Sequence, residues 1–312
     1  MIDVVIPVHN NLAMTESCLS HLQRQTVLHR VIVVDNGSTD GTPDALRERW
    51  PDVQLERFPD QLGFAQACNR GVAAGSGDFV VLLNNDVDCR PDFLERLIAP
   101  LQADALVGAT AALMLQPDEQ SIDSVGLWAD ATLAAFPRLH GLPARRASEK
   151  YPLLAGPAGA GAGYRRSAWL AVGGLDEQIP AYTEDFELGL RLHSAGWSVV
   201  ATPNAVGVHL GSASYGRRSA EQRRHFGFGR GYVIGRYRVL RGRHALRALA
   251  TEALVVFVDV LIWRDLAALT GRAAGWRAGR RLPARQASSG VIDPAIGVLE
   301  SIMLRRSALG RR

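Results

Sequence analysis

The chain has few cysteines and no long uninterrupted apolar run, and both absences narrow its class. It contains three cysteines, Cys18, Cys68 and Cys89, in 312 residues. Because their number is odd and no two form a CxxC pair, we expect neither a disulfide framework nor a zinc module, and we expect a reducing compartment. The longest apolar run, near residues 253–263, is interrupted by Asp259 and is shorter than the roughly 20 residues that span a bilayer.

Signals of several other protein classes are also missing. The N-terminal residues MIDVVIPVHNN lack a basic stretch followed by a long apolar segment, so no signal peptide is expected. No GxxxxGK[ST] motif is present, which excludes a P-loop. The glycine-rich stretch at 155–163 lacks the GxGxxG spacing of a dinucleotide-binding loop. A hydrophobic fraction of 47% and a charged fraction of 21% are typical of a folded globular protein and exclude a disordered chain.

Positive and negative charges are unevenly distributed along the chain. Residues 1–215 contain 15 basic and 25 acidic residues, whereas residues 216–312 contain 20 arginines and 6 acidic residues. The overall charge of +4 therefore combines an acidic region with an arginine-rich region. We predict a boundary near Tyr215 and expect the C-terminal region to prefer an anionic partner.

The N-terminal third alternates between short apolar runs and stretches of helical periodicity. Strands are predicted at 4–8, 31–34, 53–58 and 79–83, and helices at 12–25, 42–50, 64–74 and 91–101. This order predicts an α/β fold with a doubly wound, mostly parallel sheet. Ligands of such sheets bind beyond the carboxyl ends of the strands, which here carry His9, Asn10, Asp35 and Asp86.

The middle of the chain is less regular, and the C-terminal part is helical. The pattern predicts a strand at 106–115, a loop at 155–163, helices at 166–172 and 184–195, and short strands at 199–201 and 206–208. From Ser219 onward it predicts arginine-rich helices with glycines scattered through them.

Four groups of polar residues follow these predicted elements, and each has a functional and a structural interpretation. Residues 84–88 (NNDVD) could bind a divalent cation or form an Asx turn, and residues 35–41 (DNGSTDG) could hold a nucleobase or form a turn. Glu184 and Asp185 could supply a general base or simply favour a helix N-terminus. His209 could bind a metal or serve a structural role. Taken singly, each group leaves both interpretations open.

The order of seven segments favours the functional interpretation. They are VVIPVHN at 4–10, VIVVDNGSTDGT at 31–42, LGFAQACNRG at 62–71, VVLLNNDVDCRPDFL at 80–94, RRSAWLAVGGLDE at 165–177, YTEDFELGLRLHSAGW at 182–197 and PNAVGVHLGSAS at 203–214. Over about 210 residues they resemble family 2 glycosyltransferases with the GT-A fold, in particular bacterial rhamnosyltransferase-like enzymes. The resemblance implies a GT-A nucleotide-diphospho-sugar transferase domain at 1–215 and a helical C-terminal extension at 216–312.

The resemblance assigns residues to the binding of a nucleotide-sugar. It implies that Asp35 contacts the nucleobase, which would be uracil or thymine. Phe64 belongs to a segment near the ribose and diphosphate, although core packing is an equally good explanation for this residue. The remaining residues implied to bind the donor are Pro7, His9, Asn10, Gly63, Asn69 and Asn85.

The resemblance also implies a metal site for Mg²⁺ or Mn²⁺ and a catalytic base. The first position of the family's DxD motif is Asn84 here, so Asp86 is the first candidate ligand and Asp88 the second. His209 matches a histidine that can complete such a site. Asp185 matches the family's catalytic base, with Glu184 as its rival. The base removes the proton of an acceptor hydroxyl as its oxygen attacks the anomeric carbon, which inverts the configuration.

The function implied is that of an inverting, metal-dependent hexosyltransferase. Such an enzyme moves a sugar from dTDP-rhamnose or a UDP-sugar to a glycan or lipid-linked acceptor in bacterial cell-envelope polysaccharide synthesis. The alternatives are a nucleotidyltransferase, whose usual glycine-rich basic loop is missing after Val8, and a non-catalytic nucleotide-sugar-binding protein. Trp169, Tyr182 and Trp197 either line the acceptor surface or pack against helices.

We expect a cytoplasmic protein that is peripheral on the inner face of the plasma membrane. Residues 246–269 are apolar with arginines at their edges, which suits a helix in the interface of an anionic membrane. The alternative is a helix that packs within the protein or forms a homo-oligomer. No nucleic-acid partner is expected, because no recognition motif accompanies the basic charge.

Overall fold

A computed structural model describes residues 1–149, 154–211 and 219–308, and one large mixed sheet dominates these ranges. The first elements are β1 (Ile2–Val8), α1 (Leu12–Leu22), β2 (His29–Asn36), α2 (Thr42–Arg49), β3 (Gln54–Phe58), α3 (Phe64–Ala74), β4 (Phe79–Leu83), β5 (Val87–Cys89), α4 (Phe93–Ala103) and β6 (Val107–Leu115). The predicted alternation of strands and helices is confirmed, with most boundaries moved by a few residues. The short strand β5 was not predicted.

The next elements are β7 (Ile122–Ser124), β8 (Leu127–Ala129), β9 (Ala135–Pro137), β10 (Gly161–Arg165), α5 (Arg166–Val172), α6 (Glu184–Ser194) and β11 (Ser198–His209). The C-terminal helices are α7 (Ala220–Arg236), α8 (Ala245–Trp263), α9 (Ala267–Arg281) and α10 (Val298–Ala308). The two short strands predicted around Pro203 are parts of β11, whose pairing with β6 shifts register between Thr202 and Val206.

The predicted loop at 155–163 is partly wrong, because its last residues begin strand β10. This strand lies between β4 and β6 at the centre of the sheet. A Cβ atom at Gly161 would lie 2.3 Å from Met114 Cε, and one at Gly163 would lie 2.4 Å from Thr110 Oγ1. The glycines are therefore required by close packing, although they weaken the strand signal in the sequence.

The strand order of the sheet is β3-β2-β1-β4-β10-β6-β11-β5, and β7 pairs with β6. β1 is parallel to β2 and β4, β2 to β3, and β6 to β11, while β10 runs antiparallel to both β4 and β6. The predicted mostly parallel sheet is confirmed. The carboxyl ends of β1, β2, β4, β6 and β11 consequently lie along one edge, together with the start of β10.

Alternating side chains of the central strands build a core on each face of the sheet. Val4 and Ile6 of β1 pack with residues of α1 and α4, whereas Val5 packs with residues of α3 and α6. Trp169 is buried in the second core, which is the packing alternative for this residue. All three cysteines are buried and unbonded, and burial raises the pKa of each thiol well above its usual value.

Helices α7 and α9 pack backbone against backbone through glycines at every fourth position. A Cβ atom at Gly231 of α7 would lie 2.1 Å from the carbonyl oxygen of Arg272, and one at Gly275 of α9 would lie 2.0 Å from that of Phe228. Such distances leave no room for any side chain. The glycines that the sequence shows as scattered therefore form one interface, in which Gly227, Gly231 and Gly235 face Gly271, Gly275 and Gly279.

Ion pairs join the C-terminal helices to the acidic part of the chain. Arg285 pairs with Asp176 and with Glu187 of α6, and Arg247 of α8 pairs with buried Asp130. The arginine-rich region was expected to prefer an anionic partner, and carboxylates of the same chain supply part of that partner. The predicted boundary near Tyr215 lies outside the described residues, and the division into two domains stays a prediction.

Of the described helices, none is long and apolar enough to cross a membrane.

Replacing Gly231 by alanine should destabilise the protein. Alanine favours an isolated helix by about 1 kcal/mol over glycine, but here the new methyl group must displace the Arg272 carbonyl, and overpacking of this kind typically costs about 1–3 kcal/mol. Urea unfolding followed by circular dichroism should show the loss. Gly297→Ala is the matched control, because nothing lies within 4 Å of a Cβ atom there. Equal stability of the two variants would contradict the proposed packing constraint.

Candidate functional site

The candidate site lies at the sheet edge where the parallel strands end. The loop after β1 and the loop after β2 are tied together there. His9 Nδ1 lies 2.8 Å from the Asn36 carbonyl oxygen, the Asn10 amide donates to Ser38 Oγ at 2.7 Å, and Asn10 Oδ1 accepts from the Thr39 amide at 2.8 Å. These bonds give the two loops one fixed arrangement. The structure thus brings His9 and Asn10 next to the loop that follows Asp35.

Asp35, the residue predicted to contact the nucleobase, is fully buried at the end of β2. Its Oδ1 accepts from the Ser38 amide at 3.2 Å. Its Oδ2 has no hydrogen-bond partner among the described residues and lies 3.5 Å from Nε of half-exposed Arg57 on β3. Sequence reasoning missed Arg57. The signal available for it was a charged residue near the end of a predicted strand next to that of Asp35.

The other predicted donor-binding residues make contacts of their own. Phe64 packs partly in the second core, and its amide donates to the Pro180 carbonyl at 3.0 Å. The amide group of Asn69 bonds to the backbone of Leu175 and to Glu177. Asn85 Nδ2 donates to Thr15 Oγ1 at 3.0 Å.

These contacts connect separate elements of the fold and do not test donor binding. Pro7 lies in β1 beside Val34, and Gly63 immediately precedes α3. The roles of these two residues and of Phe64, Asn69 and Asn85 stay predictions.

Asp86 and His209 meet where β4 and β11 end. Asp86 is almost fully buried, and its Oδ2 lies 3.3 Å from His209 Nε2. The other ring nitrogen, Nδ1, lies 2.9 Å from Oδ2 of Asp123 on β7. Sequence reasoning missed Asp123, which stands in a short strand without a motif. The three residues form a carboxylate–histidine–carboxylate chain.

The charge state of His209 follows from these contacts. Burial disfavours the charged ring, but the hydrogen bonds and negative charges of Asp123 and Asp86 outweigh this effect and raise the pKa of His209 to about 10. The ring therefore carries a proton at neutral pH in the absence of a metal. To bind a metal ion it must lose that proton.

Asp88, the second candidate metal ligand, points to different partners. Its Oδ1 accepts from Ser17 Oγ at 3.0 Å and lies 3.6 Å from His21 Nε2, both on α1. Asp86 and Asp88 therefore do not share their contacts. Within residues 1–149, 154–211 and 219–308, no group of three or more His, Cys, Asp or Glu side chains is arranged to hold a metal ion.

The donor chemistry at Asp86 nevertheless fits a divalent cation. A carboxylate oxygen and an imidazole nitrogen face each other, and a second carboxylate orients the far side of the ring. That is the usual environment of a metal-binding histidine, whose second nitrogen is held by a carboxylate or a carbonyl group. Protein ligands beyond Asp86 and His209 are not in place among the described residues.

Asp185, the predicted base, is held at the start of α6 by two backbone amides. Its Oδ1 accepts from Phe186 at 2.6 Å and its Oδ2 from Gly159 at 2.9 Å. Burial raises the pKa of Asp185 in spite of these bonds. Gly159 belongs to the glycine-rich stretch before β10, and its neighbour Ala160 accepts a hydrogen bond from the Asn84 amide at 3.1 Å. Gly159 and Ala160 thus connect the predicted base to Asn84, which stands two positions before Asp86.

Glu184, the rival base, is in a different environment. Its side chain is buried, and Oε2 has no hydrogen-bond partner within the described part of the chain. Burial, followed by the nearby charge of Asp185, raises the pKa of Glu184 to about 8. Glu184 therefore mainly carries a proton at pH 7, which it must lose before it can act as a base, whereas both oxygens of Asp185 are oriented by backbone amides.

The turn before α6 has a strained backbone that α7 covers. Tyr182 and Thr183 have φ angles of 59° and 130°, which are rare for residues other than glycine. A Cβ atom at Gly229 of α7 would lie 2.2 Å from Thr183 Oγ1 and 2.5 Å from the Tyr182 carbonyl oxygen. The rings of Tyr182 and Phe226 stack with centroids 4.2 Å apart. The C-terminal region thus contacts the segment that carries the predicted base.

Comparison with known proteins gives one relative named as a rhamnosyltransferase and one named as an O-antigen biosynthesis protein. A curated relative in Mycobacterium tuberculosis, N-acetylglucosaminyl-diphospho-decaprenol L-rhamnosyltransferase, is 35% identical over 213 residues, which cover 61% of this chain and 69% of the relative. The O-antigen biosynthesis protein RfbC of Myxococcus xanthus is 27% identical over 224 residues, which cover 68% of this chain and 17% of RfbC.

Solved structures share the fold at low sequence identity. The mannosyltransferase PcManGT from Pyrobaculum calidifontis, in complex with GDP-Man and Mn²⁺, matches with a TM-score of 0.53 and 21% identity over 91% of this chain and 76% of PcManGT. GalNAc-T7 with UDP, GalNAc and Mn²⁺ matches with a TM-score of 0.61 and 14% identity over 91% of this chain and 55% of GalNAc-T7. These similarities establish the GT-A fold.

The family assignment comes from a sequence match over a little over half of the chain. The family model described as Glycosyl transferase family 2 matches residues 3–171. This span includes Asp35 and Asp86 and ends before Asp185 and His209. The chain belongs to the family 2 glycosyltransferases.

Proposed function

We propose that the chain transfers a sugar from a nucleotide-diphospho-sugar, dTDP-rhamnose or a UDP-sugar, to a hydroxyl group of a glycan or lipid-linked acceptor. The proposed process is bacterial cell-envelope polysaccharide synthesis. The names of two relatives support it: a rhamnosyltransferase of M. tuberculosis and an O-antigen biosynthesis protein of M. xanthus. The enzyme would work in the cytoplasm at the inner face of the plasma membrane, where a lipid-linked acceptor is presented.

One observation carries this proposal. The Asp86–His209 pair and the carboxylate of Asp185 lie at the same edge of the sheet. Gly159, which binds Asp185, and Ala160, which binds Asn84, connect the two positions. A donor diphosphate at the first position and an acceptor hydroxyl at the second would meet at this edge. The Asp86–His209 pair, which would bind the leaving diphosphate, is thus separate from Asp185, which would accept the proton.

The residues at the Asp86 end would bind the donor. Asp35 Oδ2 would accept the imide N–H of the pyrimidine, and half-exposed Arg57 would turn outward to admit the base. Asp86 and deprotonated His209 would hold Mg²⁺ or Mn²⁺, with Asp123 orienting the histidine ring. A bound divalent cation would neutralise the departing diphosphate.

Asp185 would act on the acceptor. Burial raises its pKa, so the carboxylate is a stronger base than an exposed aspartate and can accept the hydroxyl proton as the oxygen attacks. The amides of Gly159 and Phe186 fix its two oxygens and so orient it. Attack from the face opposite the leaving diphosphate makes the reaction a single displacement with inversion, for which no nucleophilic side chain is needed.

Asp185→Asn should lower kcat by about 10²–10⁴-fold because the amide cannot accept the proton. Nucleotide affinity should stay close to that of the wild type, since Asp185 would contact the acceptor. Release of nucleoside diphosphate and calorimetry with nucleotide and Mn²⁺ measure the two effects separately. Glu184→Gln is the matched control and should retain most activity, because Glu184 is mainly neutral at pH 7. The reverse ranking of the two variants would assign the base to Glu184.

Glu184 should also make the stability of the protein depend on pH. Its pKa is raised to about 8 in the folded state from about 4.5 in the unfolded state, so folding takes up a proton between these values. The stabilisation that this proton uptake provides is complete below pH 4.5 and is lost as the pH rises through 8. In thermal unfolding, Glu184→Gln should show a smaller fall in Tm over this range than the wild type. Parallel Tm profiles would contradict a buried, neutral Glu184.

Asp86→Ala should abolish metal-dependent donor binding, because it removes the carboxylate that would hold the cation. Thermal shifts with nucleotide-sugars and Mn²⁺ measure this, since a ligand of the folded state raises Tm by mass action. Asp88→Ala should retain the shift, because Asp88 bonds to Ser17 and His21 on α1. Wild-type turnover that is unchanged in EDTA would rule out the metal assignment, and equal loss in both variants would reject the choice of Asp86 over Asp88.

A further inference from the structure

Helix α8 has one buried face and one exposed apolar face. Ala248, Thr251 and Asp259 are buried against the rest of the protein. The opposite face has a stripe of large apolar side chains at helical spacing, among them Leu246, Phe257 and Leu261, which are 83%, 61% and 61% exposed. Contiguous apolar surface of this kind on a folded protein usually marks an interaction site. The described part of the chain places nothing over this stripe.

The charges of α8 are separated between the same two faces. Between Tyr237 and Arg264 the sequence contains only two carboxylates, Glu252 and Asp259. Glu252 lies in the interior, where it pairs with Arg230 of α7, Arg272 of α9 and Arg305 of α10. Asp259 is buried. The exposed face of α8 therefore has no carboxylate.

Exposed arginines lie at both ends of this apolar stripe. Arg241 and Arg243 precede the helix, and Arg264 follows it directly. An apolar stripe with cations at its ends and no anions matches a surface of lipid tails beneath anionic headgroups. The one carboxylate beside these arginines, Asp265, pairs with Arg223 of α7. Pairing with a second copy in either direction would therefore bring the arginines of the two chains together without a free carboxylate to neutralise them. The charge pattern therefore favours a membrane over a dimer.

We infer that the exposed face of α8 docks on an anionic membrane surface, with the helix lying in the plane of the interface. Arg241, Arg243 and Arg264 contact the headgroups, while Leu246, Phe257 and Leu261 enter the boundary of the acyl chains. The helix is 19 residues long, so this contact extends over about 28 Å. Only the reason for docking, which is access to a lipid-linked acceptor, rests on the proposed function.

Vesicle co-sedimentation of the full-length protein tests the inference. The wild type should bind phosphatidylcholine vesicles that contain phosphatidylglycerol, bind less to vesicles without it, and dissociate as salt is raised. The double variant Phe257→Ser, Leu261→Ser should bind at least about tenfold more weakly, because two large apolar side chains no longer leave water. Arg241→Gln with Arg243→Gln should reduce the preference for anionic vesicles.

A matched double variant controls for general effects of replacing exposed leucines. Leu106→Ser with Leu170→Ser alters two apolar side chains that are 67% and 65% exposed outside the C-terminal helices, and it should bind like the wild type. An unchanged Tm shows that each variant is folded. Wild-type protein that stays in solution with anionic vesicles would overturn the inference. A dimer that the Phe257→Ser, Leu261→Ser variant dissociates, without vesicle binding, would instead assign this face to a second copy.

Release of nucleoside diphosphate in the absence of vesicles keeps the two proposals distinguishable. Retained release by the Phe257→Ser, Leu261→Ser variant, together with lost vesicle binding, supports docking as a property separate from catalysis. Vesicle binding by a wild type that is inactive with every nucleotide-sugar would support the docking face and reject the proposed function.

Discussion

The close contact between the backbones of α7 and α9 is the constraint on which the position of the C-terminal region depends. Glycines at every fourth residue allow the carbonyl groups of each helix to approach the backbone of the other. This contact holds α7 where Gly229 meets the strained turn at Tyr182 and Thr183. Backbone angles of this kind persist only when neighbouring structure enforces them. The orientation of the Asp185 helix therefore depends on residues far along the chain.

A second connection between the two parts of the chain is electrostatic. Glu187, two residues after the base, contacts Arg191 of its own helix, Arg285 near the C-terminus and the hydroxyl of Tyr237. Removing one partner from such a buried group leaves an uncompensated charge, which is more costly than the pair is stabilising. The acidic and arginine-rich parts of the sequence thus partly neutralise each other in the folded protein. Exposed arginines that are not used in this way lie around α8.

Much of the fold was predictable because strands of apolar residues and periodic helices are local signals. The strands before His9, Asp35 and Asp86 were predicted, and parallel order then placed these residues at one edge. Strand β10 was not predicted, because Gly161 and Gly163 have low strand propensity and are required only by neighbours distant in sequence. The glycine spacing of α7 and α9 was visible in the sequence, but its meaning depends on the pairing of the two helices.

The candidate site shows the same division. Asp86, Asp185 and His209 stand in recognisable motifs. Asp123, Arg57 and Gly159 do not, because each acts through a contact between separate elements: with His209, with Asp35 and with Asp185. Their partners become apparent only when the sheet order is known.

The burial of all three cysteines has a practical consequence. Thiolates are the reactive form, and burial has raised the pKa of each of these thiols. A maleimide dye should consequently not react with Cys18, Cys68 and Cys89 in the folded enzyme. A single cysteine introduced on the surface could therefore carry a fluorophore in an otherwise native chain, and labelling of the native thiols would report unfolding.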